Sequence, residues 1–227
     1  MDDKIKYVSA LKTVKQIFDN HGIRFWLDYG TLLGAVREGK MIDHDYDIDL
    51  AVWINDVPKI GKTRKEFKKA GYTLYVNPNH GNYQIRELSD GTPVLPVKRI
   101  HHLLCILFRG KKEGYVTRLR LYPFVKALAF FNRTNRFDGF VSFVWSVVVR
   151  LKLYKYEWIT STLKDIGSFK TTVFYGDTFL IPEKPESYLE FLYGDWKTPI
   201  KGGAKEVGLK RLTVDDINER KKNSQNI

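Results

Sequence analysis

The sequence predicts a mixed α/β (α+β) domain, in which helices flank a β-sheet and a helical part follows. Three observations indicate this class. Residues 3–20 place apolar side chains on one side of a 3.6-residue period, as an amphipathic helix does. Between residues 23 and 122, short alternating segments are separated by turn signals such as SDG and RGKKEG, as in a sheet. From Pro123 onward, long apolar and aromatic stretches favour helices packed on that sheet.

The elements of the first half can be assigned in chain order. The first helix stops at Gly22, and IRFWLDYG is typical of a strand. TLLGAVREGK is predicted as a short helix opened by Gly30 and Thr31, and DIDLAVW as a second strand beside the first. A helix from Asp56 to about Ala70 then precedes four further strands, in YTLYV, NYQIREL, KRIHHLLCILF and YVTRLRLY.

The second half changes in character, which suggests three parts: a core at residues 1–122, a helical part at 123–200 and a polar tail at 201–227. FVKALAFFNR and GFVSFVWSVVVRLKLYKYEW are predicted as helical, with one short helix at VDDINERKK in the tail. The basic, aromatic-rich composition of the helical part suits a buried helix pair with lysines at its rim, or contact with a membrane surface.

Charge and cysteine content limit the function classes. A formal charge of +12 on 227 residues favours a polyanionic partner or a solvated lysine-rich surface, and no nucleic-acid-binding motif accompanies the lysines. The single cysteine, Cys105, excludes an intramolecular disulfide and a multi-cysteine zinc site. The N-terminal segment lacks the features of a secretory signal. We therefore expect a cytoplasmic protein, with peripheral contact at the inner face of the membrane as an open alternative and no specific nucleic acid.

Residues 26–53 carry the pattern with chemical meaning. In a strand, Asp47 and Asp49 share one face, and two neighbouring carboxylates repel each other unless a cation neutralises them. Oxygen ligands favour a hard divalent ion, Mg²⁺, with Mn²⁺ as the alternative. Asp45 has the same parity and is a candidate third ligand. A D-x-D pair alone also occurs in exposed loops, so its neighbours matter.

The strand-to-helix junction before this pair is suited to phosphate. Backbone N–H groups at Gly30 and Thr31 and the positive end of the helix dipole would face an anion. Arg37 offers a fork of donors for phosphate oxygens, or else forms a surface salt bridge. A phosphate cradle and a metal site on adjacent elements are what phosphoryl transfer requires.

Two motifs in this order resemble the LicD/fukutin family of the nucleotidyltransferase superfamily. GTLLGAVR and DYDID match its G-[ST]-L-L-G-x-x-R and D-x-D-x-D elements, and residues 176–199, GDTFLIPEKPESYLEFLYGDWKTP, resemble its I-P, Y-L, Y-G and D-W-x-x-P elements. The resemblance implies a nucleotidyltransferase-like sheet and an enzyme that moves a phospho-alcohol, such as phosphocholine or ribitol phosphate, from a CDP-linked donor to a glycan or glycolipid hydroxyl.

The resemblance also implies residue roles. Asp47 and Asp49 would bind Mg²⁺ with support from Asp45, and Gly30, Thr31 and Arg37 would hold the donor phosphates. The segment Tyr193, Gly194, Asp195 and Trp196 would close the pocket or stabilise the fold. Trp196 would stack on a base or sugar, or pack into the core. The side chains at the helical spacing of Tyr188, Phe191, Leu192 and Tyr193 are predicted to pack into the core.

One departure from the family pattern concerns a later strand, where members carry another aspartate. RIHHLLCILF contains no acid, and Leu104 or Cys105 stands at that place. Asp45, Glu87 or His102 would take over the role of that aspartate, or the chemistry is slow or altered. His102 is a candidate general base or a structural hydrogen-bonding residue. A basic group around the same strand would attract an anionic donor or form a solvated rim: Lys98, Arg99, Arg109, Lys111 and Lys112.

Two rival functions follow from these observations. The first is a nucleotidyltransferase that moves a nucleoside monophosphate from an NTP. The second is a binding module that has lost turnover, which the missing strand carboxylate favours.

Overall fold

The computed structural model describes residues 3–43, 45, 47–77, 82–87, 104–132, 137–199 and 213–224. Within these residues a mixed sheet is flanked by helices, so the predicted mixed α/β class is confirmed. The strands are β1 Phe25–Leu27, β2 Asp49–Trp53, β3 Tyr72–Asn77, β4 Asn82–Glu87, β5 Leu104–Lys112, β6 Tyr115–Arg120, β7 Lys155–Thr162, β8 Phe169–Phe174 and β9 Asp177–Pro182. The helices are α1 Asp3–Asn20, α2 Tyr29–Arg37, α3 Val57–Ile60, α4 Arg64–Lys69, α5 Pro123–Phe131, α6 Asp138–Arg150, α7 Leu163–Ile166, α8 Pro185–Tyr193 and α9 Val214–Ser224.

The main sheet has the order β1-β2-β5-β4-β3, and β6 joins β5 to β7. β1 and β2 are antiparallel neighbours, as predicted, while β2 and β5 run parallel. β5 is long enough to pair with β4 through its first half and with β6 through its second half. β8 and β9 form a separate hairpin. β2 and β5 therefore form the centre of the sheet, and both begin near the loop that carries the aspartates.

The register assigns the side chains to two faces. Phe25 lies opposite Val52, and Val52 lies opposite Phe108, so these three side chains share one face of the sheet. α1 covers this face through Phe18, whose ring meets the ring of Phe25, and α6 covers it through Trp145, which stacks on Phe108. The other face carries Asp49, Cys105 and Arg109. Phe169 packs against Trp26 on this second face, so β1 is buried on both sides and lacks a polar face.

Two predicted boundaries in the first half of the chain are corrected by the structure. The helix expected from Asp56 to Ala70 is divided into a 3-10 turn, α3, a second 3-10 turn and α4. The hydroxyl of Thr63 donates to the carbonyl of Ile60 at 2.8 Å, which competes with the regular helical ladder. The RGKKEG turn is shorter than predicted, because β5 continues to Lys112 and the chain turns at Glu113 and Gly114, both with positive φ.

The apolar stretch predicted as one long helix after Phe137 is helical only to Arg150. Its last four residues, from Lys155, belong to β7, Lys155–Thr162, which pairs with β6 in the main sheet. Short apolar segments fit helix or strand equally well, and pairing with β6 decided this one. The helix predicted at VDDINERKK is confirmed as α9. Across the described part of the chain, no helix has both the length and the apolar character needed to cross a bilayer.

Candidate active site

The site is built where β1 passes into α2. Asp28 is the N-cap of α2, and its Oδ1 accepts the N–H of Tyr29 at 2.9 Å. The backbone N–H of Asp28 donates to the carbonyl of Asp49 at 3.0 Å, which ties the helix start to the start of β2. The helix thus begins earlier than predicted. Gly30 and Thr31 lie inside its first turn rather than at its opening.

Thr31 and Gly30 each fix one aspartate. The Thr31 hydroxyl accepts the backbone N–H of Asp49 at 2.8 Å, and Thr31 is buried. A Cβ atom at position 30 would overlap Oδ2 of Asp45, so a glycine is what allows that carboxylate to lie against the first turn of α2. The predicted phosphate seat and the predicted metal ligands are therefore in direct contact.

Asp49 lies among other carboxylates. Burial, followed by the charges of Asp47, Asp28 and Asp45, raises the pKa of Asp49 well above its usual value, and Arg109 opposes that rise. Asp47 precedes β2, which begins at Asp49, so the strand alternation used in the prediction does not position it. Its charge nevertheless acts on Asp49. Without a cation, the ionised cluster is electrostatically unfavourable.

The carboxylates of the site would suit a magnesium ion whose remaining coordination positions are filled by substrate and water. In the described segments, no three side chains of His, Cys, Asp and Glu are grouped to hold a metal by themselves. Mg²⁺ in proteins is commonly held by one or two carboxylates, with waters and substrate phosphates as the remaining ligands. The pair Asp47 and Asp49 matches that pattern.

A buried ionic network lies directly behind the site, and sequence reasoning missed it. Arg109, predicted in the basic rim, is fully buried and donates through Nε to Oδ2 of Asp28 at 3.1 Å, with a second, shorter bond from Nη2. The hydroxyl of Tyr188 donates to Oδ1 of Asp28 at 2.6 Å. Burial lowers the pKa of Arg109, but Asp28, Tyr188 and Tyr29 together outweigh it and leave that pKa well above the usual value. A single arginine within the apolar strand CILFRG was the available signal, because a buried charge needs a partner.

Cys105 occupies the position directly opposite Asp49 on the parallel neighbour β5. Its backbone N–H donates to the carbonyl of Ile48 at 2.6 Å, and Asn82 Nδ2 lies 2.5 Å from its Sγ. Burial, with a contribution from Asp49, raises the pKa of the thiol well above its usual value. Of the two residues predicted to stand in place of the family's extra carboxylate, Leu104 and Cys105, it is the Cys105 thiol that lies opposite Asp49.

The second motif reaches the site through the end of α8. Burial raises the pKa of Tyr193 well above its usual value, and Asp49 is the largest charged contributor to that rise. Arg37 Nη1 donates to the backbone carbonyl of Trp196 at 3.1 Å, and its Nη2 pairs with Glu38 at 2.7 Å. The two motifs therefore meet in space. Arg37 lies about 10 Å along the α2 axis from Gly30, given 1.5 Å per residue.

The remaining predictions concern side chains of the core and of the basic group. Tyr188 and Leu192 are buried as predicted, but Phe191 is 40% exposed, so its predicted core position is wrong. Lys111 lies over the ring of Trp53, at 4.8 Å from its centroid. Lys98, Arg99 and His102 lie outside the described residues, so their predicted roles stay predictions.

Comparison with known proteins agrees with the first motif. Residues 22–99 match the family model described as LicD/FKTN/FKRP, nucleotidyltransferase domain. The family resemblance predicted from the motifs is confirmed for this segment, which contains α2 and β2. The second motif, at residues 176–199, lies beyond the matched range.

Individual relatives match over short segments. The ribitol 5-phosphate transferase FKRP of mouse and that of human are each 46% identical over 41 residues, which cover 18% of this chain and 8% of the relative. An uncharacterised protein of Rickettsia prowazekii is 31% identical over 64 residues, or 28% of this chain and 24% of the relative. One from Rickettsia typhi is 31% identical over 67 residues, or 30% and 22%. The chain thus matches less than a quarter of each relative's length.

Proposed function

We propose that this chain, with a LicD/FKTN/FKRP nucleotidyltransferase domain at residues 22–99, is a Mg²⁺-dependent transferase that moves a phospho-alcohol group from a CDP-linked donor to a glycan hydroxyl. One observation carries the proposal. Asp28, Asp45 and Asp47 all act on Asp49 beside the first turn of α2, where Gly30 leaves no side chain in the way. Such a cluster is expected where a divalent ion and a phosphate meet.

Asp47 and Asp49 would hold the ion, with Asp45 beside them. When bound, Mg²⁺ supplies positive charge that balances the phosphate oxygens and the departing nucleoside monophosphate. The buried Arg109 contributes a fixed positive charge that lowers the pKa of Asp49 and so favours its ionised, ligand-competent form.

The chain's own residues would position the donor. Backbone N–H groups in the first turn of α2 point out of the helix toward an anion, and the helix dipole favours negative charge there. Thr31 holds the backbone of Asp49 at a fixed distance from that turn. Tyr193, at the end of α8, would narrow the pocket and limit the access of water.

In the proposed reaction, the acceptor oxygen attacks the donor phosphorus that bears the alcohol. A new P–O bond forms, the bond between this phosphorus and the bridging oxygen of CMP breaks, and CMP leaves with the bonding electrons. The proton of the acceptor hydroxyl must be removed, and Asp45, whose carboxylate lies against the first turn of α2 at Gly30, is the proposed base. His102 is the alternative base.

The test is CMP release from CDP-ribitol and CDP-choline in the presence of Mg²⁺ and a glycan acceptor. We expect Asp47→Asn and Asp49→Asn each to lower turnover on the order of 1000-fold, since each removes a charge from the proposed ion site. Asp43→Asn is the matched control, because Asp43 is exposed in the same loop and pairs with Lys40 at 3.2 Å. Equal activity of the three variants would refute the proposal.

Cys105 supports a second candidate, a donor-binding module with little turnover. The thiol stands opposite Asp49, on the strand where the family resemblance implies another aspartate. This candidate predicts that CDP raises the melting temperature in the presence of Mg²⁺ while CMP is not released. A true nucleotidyltransferase would instead release pyrophosphate from an NTP.

A further inference from the structure

The outer surface of α5 and α6 is apolar although it faces solvent. Phe140, Phe143, Val147 and Leu151 follow one another at spacings of three and four residues, so they form one stripe along α6 and its C-terminal turn. All four are exposed, with Phe143 at 64% and Leu151 at 60%. Most exposed apolar side chains in proteins are scattered singly, whereas this row is contiguous.

The opposite side of α6 already supplies its share of the core. Val141, Trp145 and Val148 are buried, and Trp145 stacks on Phe108 of the sheet. Packing of the fold therefore accounts for the inner face only. A helix that is apolar on both sides is expected to bury both of them. The outer side of α6 therefore needs an apolar environment that the described part of the fold does not provide.

α5 extends the same kind of surface. α5 and α6 pack against each other, and α5 exposes Phe124 and Phe131, the latter at 82%. We define the outer stripe as six exposed apolar side chains of α5, α6 and the turn after α6: Phe124, Phe131, Phe140, Phe143, Val147 and Leu151.

Charge around the outer stripe is positive. Residues 122–156 contain six basic residues and one acid, Asp138. Asp138 is buried, accepts from Asn132 Nδ2 at 2.8 Å and lies 3.9 Å from Arg64, so its charge is directed inward. Lys126, Arg150 and Lys152 are exposed.

We infer that the outer stripe of α5 and α6 is a docking surface for an anionic lipid bilayer, with its aromatic side chains in the headgroup region and its cations on lipid phosphates. Helices of this composition lie in the interface plane and insert their apolar side roughly 5–10 Å. A second copy of the chain fits less well, because stacking two such surfaces brings their cations together. α6 covers the sheet face opposite Asp49, so docking leaves the candidate active site uncovered.

The test is flotation of the purified chain with phosphatidylcholine vesicles, with and without phosphatidylglycerol. We expect binding only to the anionic vesicles and a decrease in binding as salt is added. Phe131→Ser combined with Phe143→Ser should weaken binding roughly 100-fold, from the apolar area that the two rings no longer bury. Val173→Ser with Phe191→Ser, exposed elsewhere on β8 and α8, is the matched control and should bind as the wild type does.

The electrostatic part has its own pair of variants. Arg150→Glu with Lys152→Glu should weaken binding at least about 30-fold, given the contribution of each basic residue near an anionic surface. Lys164→Glu with Lys170→Glu changes the net charge equally at exposed sites outside the outer stripe and should have a much smaller effect. All variants should keep the wild-type melting temperature, since every altered side chain is exposed.

Three results would overturn the inference. The first is that the wild type fails to float with anionic vesicles. The second is that the outer-stripe variants bind these vesicles as well as their controls do. The third is that the wild type does not bind vesicles and is a dimer that the phenylalanine variants convert to a monomer. The last result would assign the surface to contact between copies. None of these readouts depends on catalytic turnover, so they are independent of the proposed reaction.

Discussion

Replacing Asp28 tests whether the buried network holds the active-site framework together. Asp28 and Arg109 are both fully buried, and two donors of the guanidinium contact one carboxylate oxygen. Asp28→Asn keeps the shape but leaves the Arg109 charge without its counter-ion. Breaking a buried pair in this way costs about 3–5 kcal/mol of unfolding free energy. For a chain of this size, that corresponds to a fall in melting temperature of roughly 6–20 °C.

Tyr188→Phe is a milder change to the same network. It removes the hydrogen bond that the hydroxyl donates to Asp28 and the one it accepts from Arg109 Nη2 at 3.3 Å, and it leaves the ring in place, so we expect a loss of about 1.5–3 kcal/mol. Tyr156→Phe is the matched control, because that hydroxyl donates to the carbonyl of Lys111 at an exposed position. Its effect should stay within about 0.5 kcal/mol.

Urea unfolding followed by tryptophan fluorescence measures these changes, since Trp26 and Trp145 are fully buried. Combining Asp28→Asn with Arg109→Met removes both charges, so the double variant should lose less than the sum of the two single losses, by roughly 1–3 kcal/mol. A loss below about 1 kcal/mol for Asp28→Asn, or strictly additive effects, would refute the reasoning.

Three further predictions concern the site itself. Gly30→Ala should displace the Asp45 carboxylate and weaken Mg²⁺ binding in calorimetric titration, while the melting temperature changes little, because alanine suits a helix. Thr31→Val removes the acceptor of the Asp49 N–H and should lower the free energy of unfolding in urea by about 1–3 kcal/mol. Thr31→Ser keeps the hydroxyl and should retain most of this stability. The raised pKa of Cys105 keeps its thiol protonated at pH 8, so alkylation of the folded chain should be slow and should become faster as the pH rises. Alkylation in denaturant should be complete. Rapid alkylation of the folded chain at pH 8 would contradict this.

Part of the site was predictable because its signals are local. The first motif places Gly30 and Thr31 at a strand-to-helix junction and Asp47 and Asp49 near the start of the next strand, and the pairing of the two strands brings these residues together. The pairing of β1 with β2 followed from the same reasoning. The helix was predicted to begin too late, because Asp28 was interpreted as a strand residue, whereas it is the N-cap of α2.

Other features depend on contacts between distant parts of the chain. The apolar strand around Arg109 signals a buried charge but does not identify its partner, and only the contact with Asp28 makes Arg109 part of the core. The strand β7 lies in a stretch with helix-like composition and is defined by pairing with β6. The contact of Arg37 with Trp196 joins residues 159 positions apart.

The sequence by itself determined the mixed α/β class, the carboxylate-rich loop beside a glycine-threonine helix start, and the family resemblance, because each is encoded in spacing along a short segment. Only the tertiary structure decided that Asp28, Arg109 and Tyr188 form a buried network, that Cys105 faces Asp49, and that one side of α5 and α6 stays apolar in solvent. The physical reason is that burial and charge pairing are properties of three-dimensional neighbours, which periodicity along the chain does not specify.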